Sequence, residues 1–197
     1  MKLSIPRLLL AVAGGLVSFQ AFSQPALSIK PLAEKRVARL PEGTLFWRIE
    51  NFPSVGEANT AASAWSLTVE SAGKVWLFTL GSPGGLSPGA AKVAEVGPIP
   101  RIDATEYLLR INEASGPPGS VTPVHSHPGS EAFLVLHGQQ SIRGAHGVLR
   151  VDPGKGEAGH GADQAMQVSS SGSTDLHALV MFVVDANRPF SSPATLP

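Results

Sequence analysis

The chain has 197 residues, enough for one domain of ordinary size with a real core. Apolar residues make up 43% and charged residues 15%, so the chain is globular, and a formal charge of zero leaves no basic excess to hold the phosphates of a nucleic acid. The absence of cysteine excludes disulfides, thiolate metal sites and a cysteine nucleophile.

The N-terminus sets the expected compartment. Met1 to Arg7 is short and basic, Leu8 to Phe19 is apolar, and Ala21-Phe22-Ser23 offers small residues at cleavage spacing. This is a secretory signal pattern over residues 1–23, cut after Ser23. A membrane anchor is the rival, but the apolar run is short for a span and holds Gly14-Gly15. Loss of Lys2 and Arg7 leaves 13 basic against 15 acidic residues, a net charge of −2. No second apolar run of spanning length follows. The expectation is a soluble, exported protein of a bacterial periplasm, with no membrane contact once the signal is removed.

Residues 24–43 read as an arm, with two helical turns between Leu32 and Leu40. Residues 44–52 alternate Leu45, Trp47 and Ile49 and predict a strand; residues 55–63 are small and polar and predict a loop. Residues 64–70 and 74–80 are β-rich runs joined by Ser71-Ala72-Gly73, a hairpin signal. Short strands follow at 92–96 and 105–111, and Pro117-Pro118-Gly119 predicts a type II turn. Further on, 139–143 and 148–151 form a second hairpin, 152–165 is a Gly-rich loop, and 166–168 is a short strand. The strand 176–184 is the last long one, and 185–197 is a Pro- and Ser-rich tail. With 21 Gly, 17 Pro and almost no helical period, this is an all-β barrel or sandwich.

The stretch from Gly119 to Gly138 carries the chemistry. His125 and His127 are two apart, so on a strand their imidazoles share a face. Pro128-Gly129-Ser130 reads as a turn into the antiparallel strand 131–137, which Glu131 opens beside the histidine pair. Two imidazoles and one carboxylate with positions left open are the ligand set of many non-haem iron sites, and they also suit manganese, nickel or zinc. The plain alternative is a pair of surface histidines beside a solvated glutamate.

The spacing Gly119, five residues, His125-x-His127, three residues, Glu131, six residues, Gly138 resembles the first motif of the cupin superfamily at every fixed position. The resemblance implies a double-stranded β-helix, a small jelly-roll barrel, over 92–185, with an N-terminal arm and added strands in 24–91 and a tail in 186–197. All six histidines lie at or after His125, so the first half holds no second copy of the motif. The family's second motif is degenerate: Gly156 is kept, Ala162 and Gln164 stand for Pro and Gly, and Ser171 stands for Asn. Gln167 falls where the third histidine belongs, and it would supply an amide oxygen to the metal; His160, in the Gly-rich loop, is the other candidate. A barrel that has lost its metal stays open as a reading.

Arg110, Phe133 and His137 are candidate substrate-binding residues, Arg110 for an anionic substrate and His137 by sharing the strand parity of Glu131. The resemblance implies an exported, metal-dependent enzyme, oxygenase-like, acting on a small oxygenated molecule, with iron or manganese foremost. The alternative is a non-catalytic periplasmic barrel that binds a small molecule or metal. A homodimer is a further expectation from the resemblance.

Overall fold

The computed structural model describes residues 24–197; the export-signal reading of residues 1–23 lies outside the described residues. The elements run β1 (Ser28–Val37), β2 (Leu45–Phe52), α1 (Val55–Ala61), β3 (Ser66–Ser71), β4 (Lys74–Gly81), β5 (Ala91–Ile99), β6 (Tyr107–Gly116), β7 (His125–Ser126), β8 (Gly129–His137), β9 (Gln140–Gly144), β10 (Gly147–Val151), β11 (Gly156–Ala158), β12 (Met166–Ser170), β13 (Leu176–Asp185) and β14 (Ser192–Pro193). No helix among the described residues is long and apolar enough to cross a membrane.

The strands form three antiparallel sheets. The first has the order β1-β6-β13-β8-β11, the second β10-β9-β12-β7-β14, and the third β3-β4-β2-β5. From β6 to β14 the chain passes repeatedly between the first two sheets, so its strands wind around one shared interior. That winding is the double-stranded β-helix, and it makes a jelly-roll barrel. The third sheet covers the barrel's outer side.

The first sheet is buried on both faces, and its residue parity records this. One face sets Leu109, Ile111, Leu134, Leu179 and Met181 against Trp47, Ile49 and Phe78 of the third sheet. The other sets Ala114, Phe133, Val180 and Phe182 against Ile142, Met166 and Val168 of the second. Hence β8 and β13 read as near-continuous apolar runs with no clean alternation.

Local chemistry explains most of the turns. Ala72 and Gly73 both take positive φ, 52° and 68°, so the β3–β4 hairpin closes on two residues whose twist suits the strands. The predicted turn at Pro117-Pro118-Gly119 is closed by Ser120 N donating to the Pro117 carbonyl at 3.1 Å.

Three local expectations are corrected. The run from Leu32 to Leu40 is not helical; its first part belongs to β1, which pairs with β6 from Ser28 to Val37. Long-range pairing outweighs weak helical periodicity there, and Pro31 is tolerated because β1 is an edge strand with an irregularity at that point. The segment 55–63 is not loop alone, since Val55–Ala61 is helical. Ser54 caps it, its hydroxyl accepting from Glu57 N at 3.2 Å and donating to the Glu57 carboxylate at 2.9 Å. Finally, Pro128-Gly129-Ser130 does not make a hairpin. It carries the chain from the second sheet, where β7 lies, to the first, where β8 lies.

Candidate functional site

The site lies between the first two sheets, in a cavity of about 400 Å³. Strand β7 and the residue just after it present His125 and His127 from one side, and β8 presents Glu131 from the other. The two imidazoles meet edge to face, ring centres 4.9 Å apart. His127 Nε2 lies 3.9 Å from Glu131 Oε2. The structure thus places His125, His127 and Glu131 on the wall of one cavity.

Both imidazoles are held in the same tautomer. His125 Nδ1 is 2.8 Å from the Pro123 carbonyl and His127 Nδ1 is 2.6 Å from the Phe190 carbonyl. A carbonyl only accepts, so each Nδ1 carries a proton, and in the neutral imidazole Nε2 is then the nitrogen with the lone pair. Carbonyls behind the Nδ1 atoms are the usual outer support of metal-binding histidines.

Glu131 is the unusual member. It is 2% exposed, and its Oε1 has no hydrogen-bond partner. Burial raises its pKa to about 8. Burial likewise lowers that of His127 to about 4, against the opposing pull of the Phe190 carbonyl. At neutral pH both groups are therefore uncharged, and the 3.9 Å approach is not an ion pair. A lone charge in so dry a place would cost several kcal/mol.

Among the described residues, no group of three or more His, Cys, Asp or Glu side chains is arranged closely enough to hold a metal ion. The donor chemistry nonetheless fits a divalent cation: two free Nε2 lone pairs, and a buried carboxyl with one oxygen unpartnered. His125, His127 and Glu131 would hold it, leaving open positions.

The other expected residues fall elsewhere. Gln167 does not join the site. On β12 the inward side chains are Met166 and Val168, and Gln167 points to the opposite face, its amide nitrogen donating to the Thr122 carbonyl at 3.1 Å. The third-histidine position is thus filled on the inner face by Val168, a side chain with no donor. His160 also stays out. Its ring packs over Gly144 in a separate hollow shared with His146, and burial holds its pKa below the ordinary value.

Arg110 is not among the residues lining the cavity, although it shares the inward face of β6 with Asn112 and Ala114. Its Nε donates to Asn112 at 2.9 Å, Nη1 lies 3.5 Å from the Glu34 carboxylate, and the guanidinium sits 4.2 Å from the Phe190 ring centre. Phe133 does line the cavity. His137 does not: it is exposed at the end of β8, its Nδ1 bound to the Asp175 carbonyl at 2.8 Å.

Phe182 and Phe190 complete the aromatic wall, each about 4.9 Å from His127: ring centres lie 4.9 Å and 4.8 Å away. The strand parity of β13 would have found Phe182. Nothing marks Phe190, which lies in the Pro- and Ser-rich tail. That tail crosses the cavity mouth, with β14 pairing to β7, and Arg188 ties it to Asp163 through contacts of 2.6 and 3.0 Å.

No protein-family model matches the chain, and no curated protein matches it. Solved structures do resemble it. A cupin superfamily protein from Desulfitobacterium hafniense is 17% identical over 39% of this chain and 68% of its own, with a TM-score of 0.36. A DMSP lyase from Ruegeria pomeroyi is 21% identical over 44% of this chain and 43% of its own, TM-score 0.37. The polyketide cyclase RemF from Streptomyces resistomycificus is 19% identical over 45% of this chain and 62% of its own, TM-score 0.38. Cupin and double-stranded β-helix proteins recur among these neighbours. The architecture stands on the strand order described above, and the activities of these proteins belong to them.

Proposed function

We propose that the barrel cavity is a metal-dependent ligand site, with His125, His127 and Glu131 holding one divalent cation, iron or manganese foremost. The observation that carries this reading is Glu131: a carboxyl sealed between two sheets, with Oε1 unpartnered and Oε2 3.9 Å from His127 Nε2, on the wall of the cavity that His125 also lines. A cation would compensate the charge that burial otherwise forbids.

A bound cation would supply Lewis-acid polarisation of a ligand oxygen and, as iron, electron transfer with dioxygen. The protein's own contributions are separable. The Pro123 and Phe190 carbonyls fix both imidazoles. Glu131 keeps its proton until a cation replaces it. The aromatic walls exclude water from the ligand.

An oxygenase-like enzyme acting on a small oxygenated molecule is the favoured activity, in a protein exported through its N-terminal segment. A second reading, a non-catalytic barrel that binds a small molecule or metal, is favoured by Val168, which puts no fourth donor opposite the histidines.

The test is metal content, by mass spectrometry, of protein purified without an affinity tag, beside the His125→Ala/His127→Ala double variant. Near one metal per chain, lost in the variant, followed by iron-dependent oxygen uptake, supports the enzyme. Metal without turnover supports the binder. No metal in either protein, even after reconstitution with iron, manganese, nickel and zinc, overturns the metal site.

A further inference from the structure

We propose that the cavity takes a small, mostly apolar, ring-bearing molecule with a single polar end, and not a sugar, a sugar phosphate or a dicarboxylate. This deepens the reading of the cavity as a ligand site and rests on it. Three observations converge.

First, the walls are apolar on every side. Phe133, Val180 and Phe182 come from the first sheet, Val168 from the second, and Phe190 from the tail. Three phenyl rings around 400 Å³ suit a planar ring system, since aromatic side chains stack face to face or edge to face on one.

Second, most of the interior polar atoms are already engaged, and few are left over. The oxygen of Asn112 accepts from Arg110. The Thr122 hydroxyl accepts from Val168 N at 3.0 Å. Both Nδ1 atoms face carbonyls. What remains is the two Nε2 atoms, Glu131 Oε1 and the Asn112 amide nitrogen, while Ser191 and Ser192 lie at the exposed rim. A sugar carries several hydroxyls, and each one buried without a partner is costly.

Third, no lysine or arginine lines the cavity among the described residues. The nearest guanidinium, Arg110, packs 4.2 Å from the Phe190 ring centre, with Nε bound to Asn112 and Nη1 3.5 Å from Glu34. A cation at the histidines could meet one oxygen at its own end. A second anionic group at the other end would meet no lysine or arginine on the cavity wall.

Binding of α-naphthol, malate and glucose should be measured by isothermal titration on metal-free and zinc-loaded protein, with metal content determined on the same samples. The expected result is that naphthol binds in both forms, about ten-fold or more tighter than malate or glucose. Ala114→Phe and Val180→Phe, which fill the cavity from neighbouring strands, should each abolish naphthol binding while circular dichroism stays that of the folded barrel. Malate or glucose binding as tightly as naphthol overturns the proposal. So does failure of naphthol to bind folded protein, or binding that survives in whichever filled variant folds. Naphthol binding to protein that takes up no metal sinks the metal reading alone; metal uptake without naphthol binding sinks this inference alone.

Discussion

The Nδ1 of His127 donates to the main-chain carbonyl of Phe190 at 2.6 Å, across 63 positions of sequence. One contact thus ties a candidate metal ligand just after β7 to the tail that crosses the cavity. The tail does three things there. It fixes the imidazole tautomer, it adds a phenyl ring to the wall, and it covers the mouth through β14.

Deleting residues 188–197 is therefore expected to weaken divalent-metal binding about ten-fold or more, the usual cost of losing a ligand's outer support. Phe190→Leu keeps the carbonyl and should leave metal affinity within about two-fold, while weakening binding of an aromatic ligand. Metal titrations on both variants check this. Equal affinity in the deletion variant would deny the tail its orienting role.

Glu131→Gln should not destabilise the metal-free protein by more than about 1 kcal/mol, and it can stabilise it, because it exchanges a sealed carboxyl lacking a partner at Oε1 for a neutral amide of the same shape. Urea unfolding of the metal-free proteins measures this. A loss of several kcal/mol would mean that Glu131 is tied into the barrel by contacts not described here.

Gly129→Ala tests the crossing between sheets. A Cβ at Gly129 would stand 2.2 Å from the Val183 carbonyl oxygen and 2.5 Å from Val184 Cα, both main-chain atoms. Overpacking of this kind costs roughly 1–3 kcal/mol or more. Because the clash lies two residues from Glu131, the variant should lose metal affinity together with stability.

Glu113 gives the pH dependence. The Ser71 hydroxyl donates to it at 2.5 Å and lowers its pKa; burial opposes this, and His177, 3.2 Å away, adds to the lowering. A carboxyl held below its ordinary 4.5 binds protons less readily in the folded chain than in the unfolded one. Its contribution is complete above that pH and fades as pH falls through the lowered value. Ser71→Ala should therefore cost stability near neutral pH, and the difference from wild type should shrink below pH 4.5 in urea midpoints taken across pH. A difference that stays constant would remove the Ser71–Glu113 contact as its cause.

Much of the barrel was legible because strands carry their own signals. The apolar runs of β8 and β13 and the Ala72-Gly73 and Pro117-Pro118-Gly119 turns each follow from local chemistry. So does the placing of His125 and His127 on one face. Two features were legible and passed over. Ser54-x-x-Glu57 is a helix N-terminus signature announcing α1, and the parity of β13 puts Phe182 with Val180 inside the barrel. Register was the limit elsewhere. Gln167 was set in the site by motif alignment alone, and a shift of one residue turns a strand side chain to the opposite face. Phe190 had no local signal at all, since only the long-range pairing of β14 with β7 brings the tail to the cavity.

The most direct measurement is a calorimetric titration of metal-free protein with manganese or zinc, run on wild type, Glu131→Gln and Gln167→Ala. The account expects one site per chain in wild type, lost or weakened about 100-fold or more in Glu131→Gln, and unchanged in Gln167→Ala. A site that survives Glu131→Gln, or one that Gln167→Ala abolishes, would contradict it.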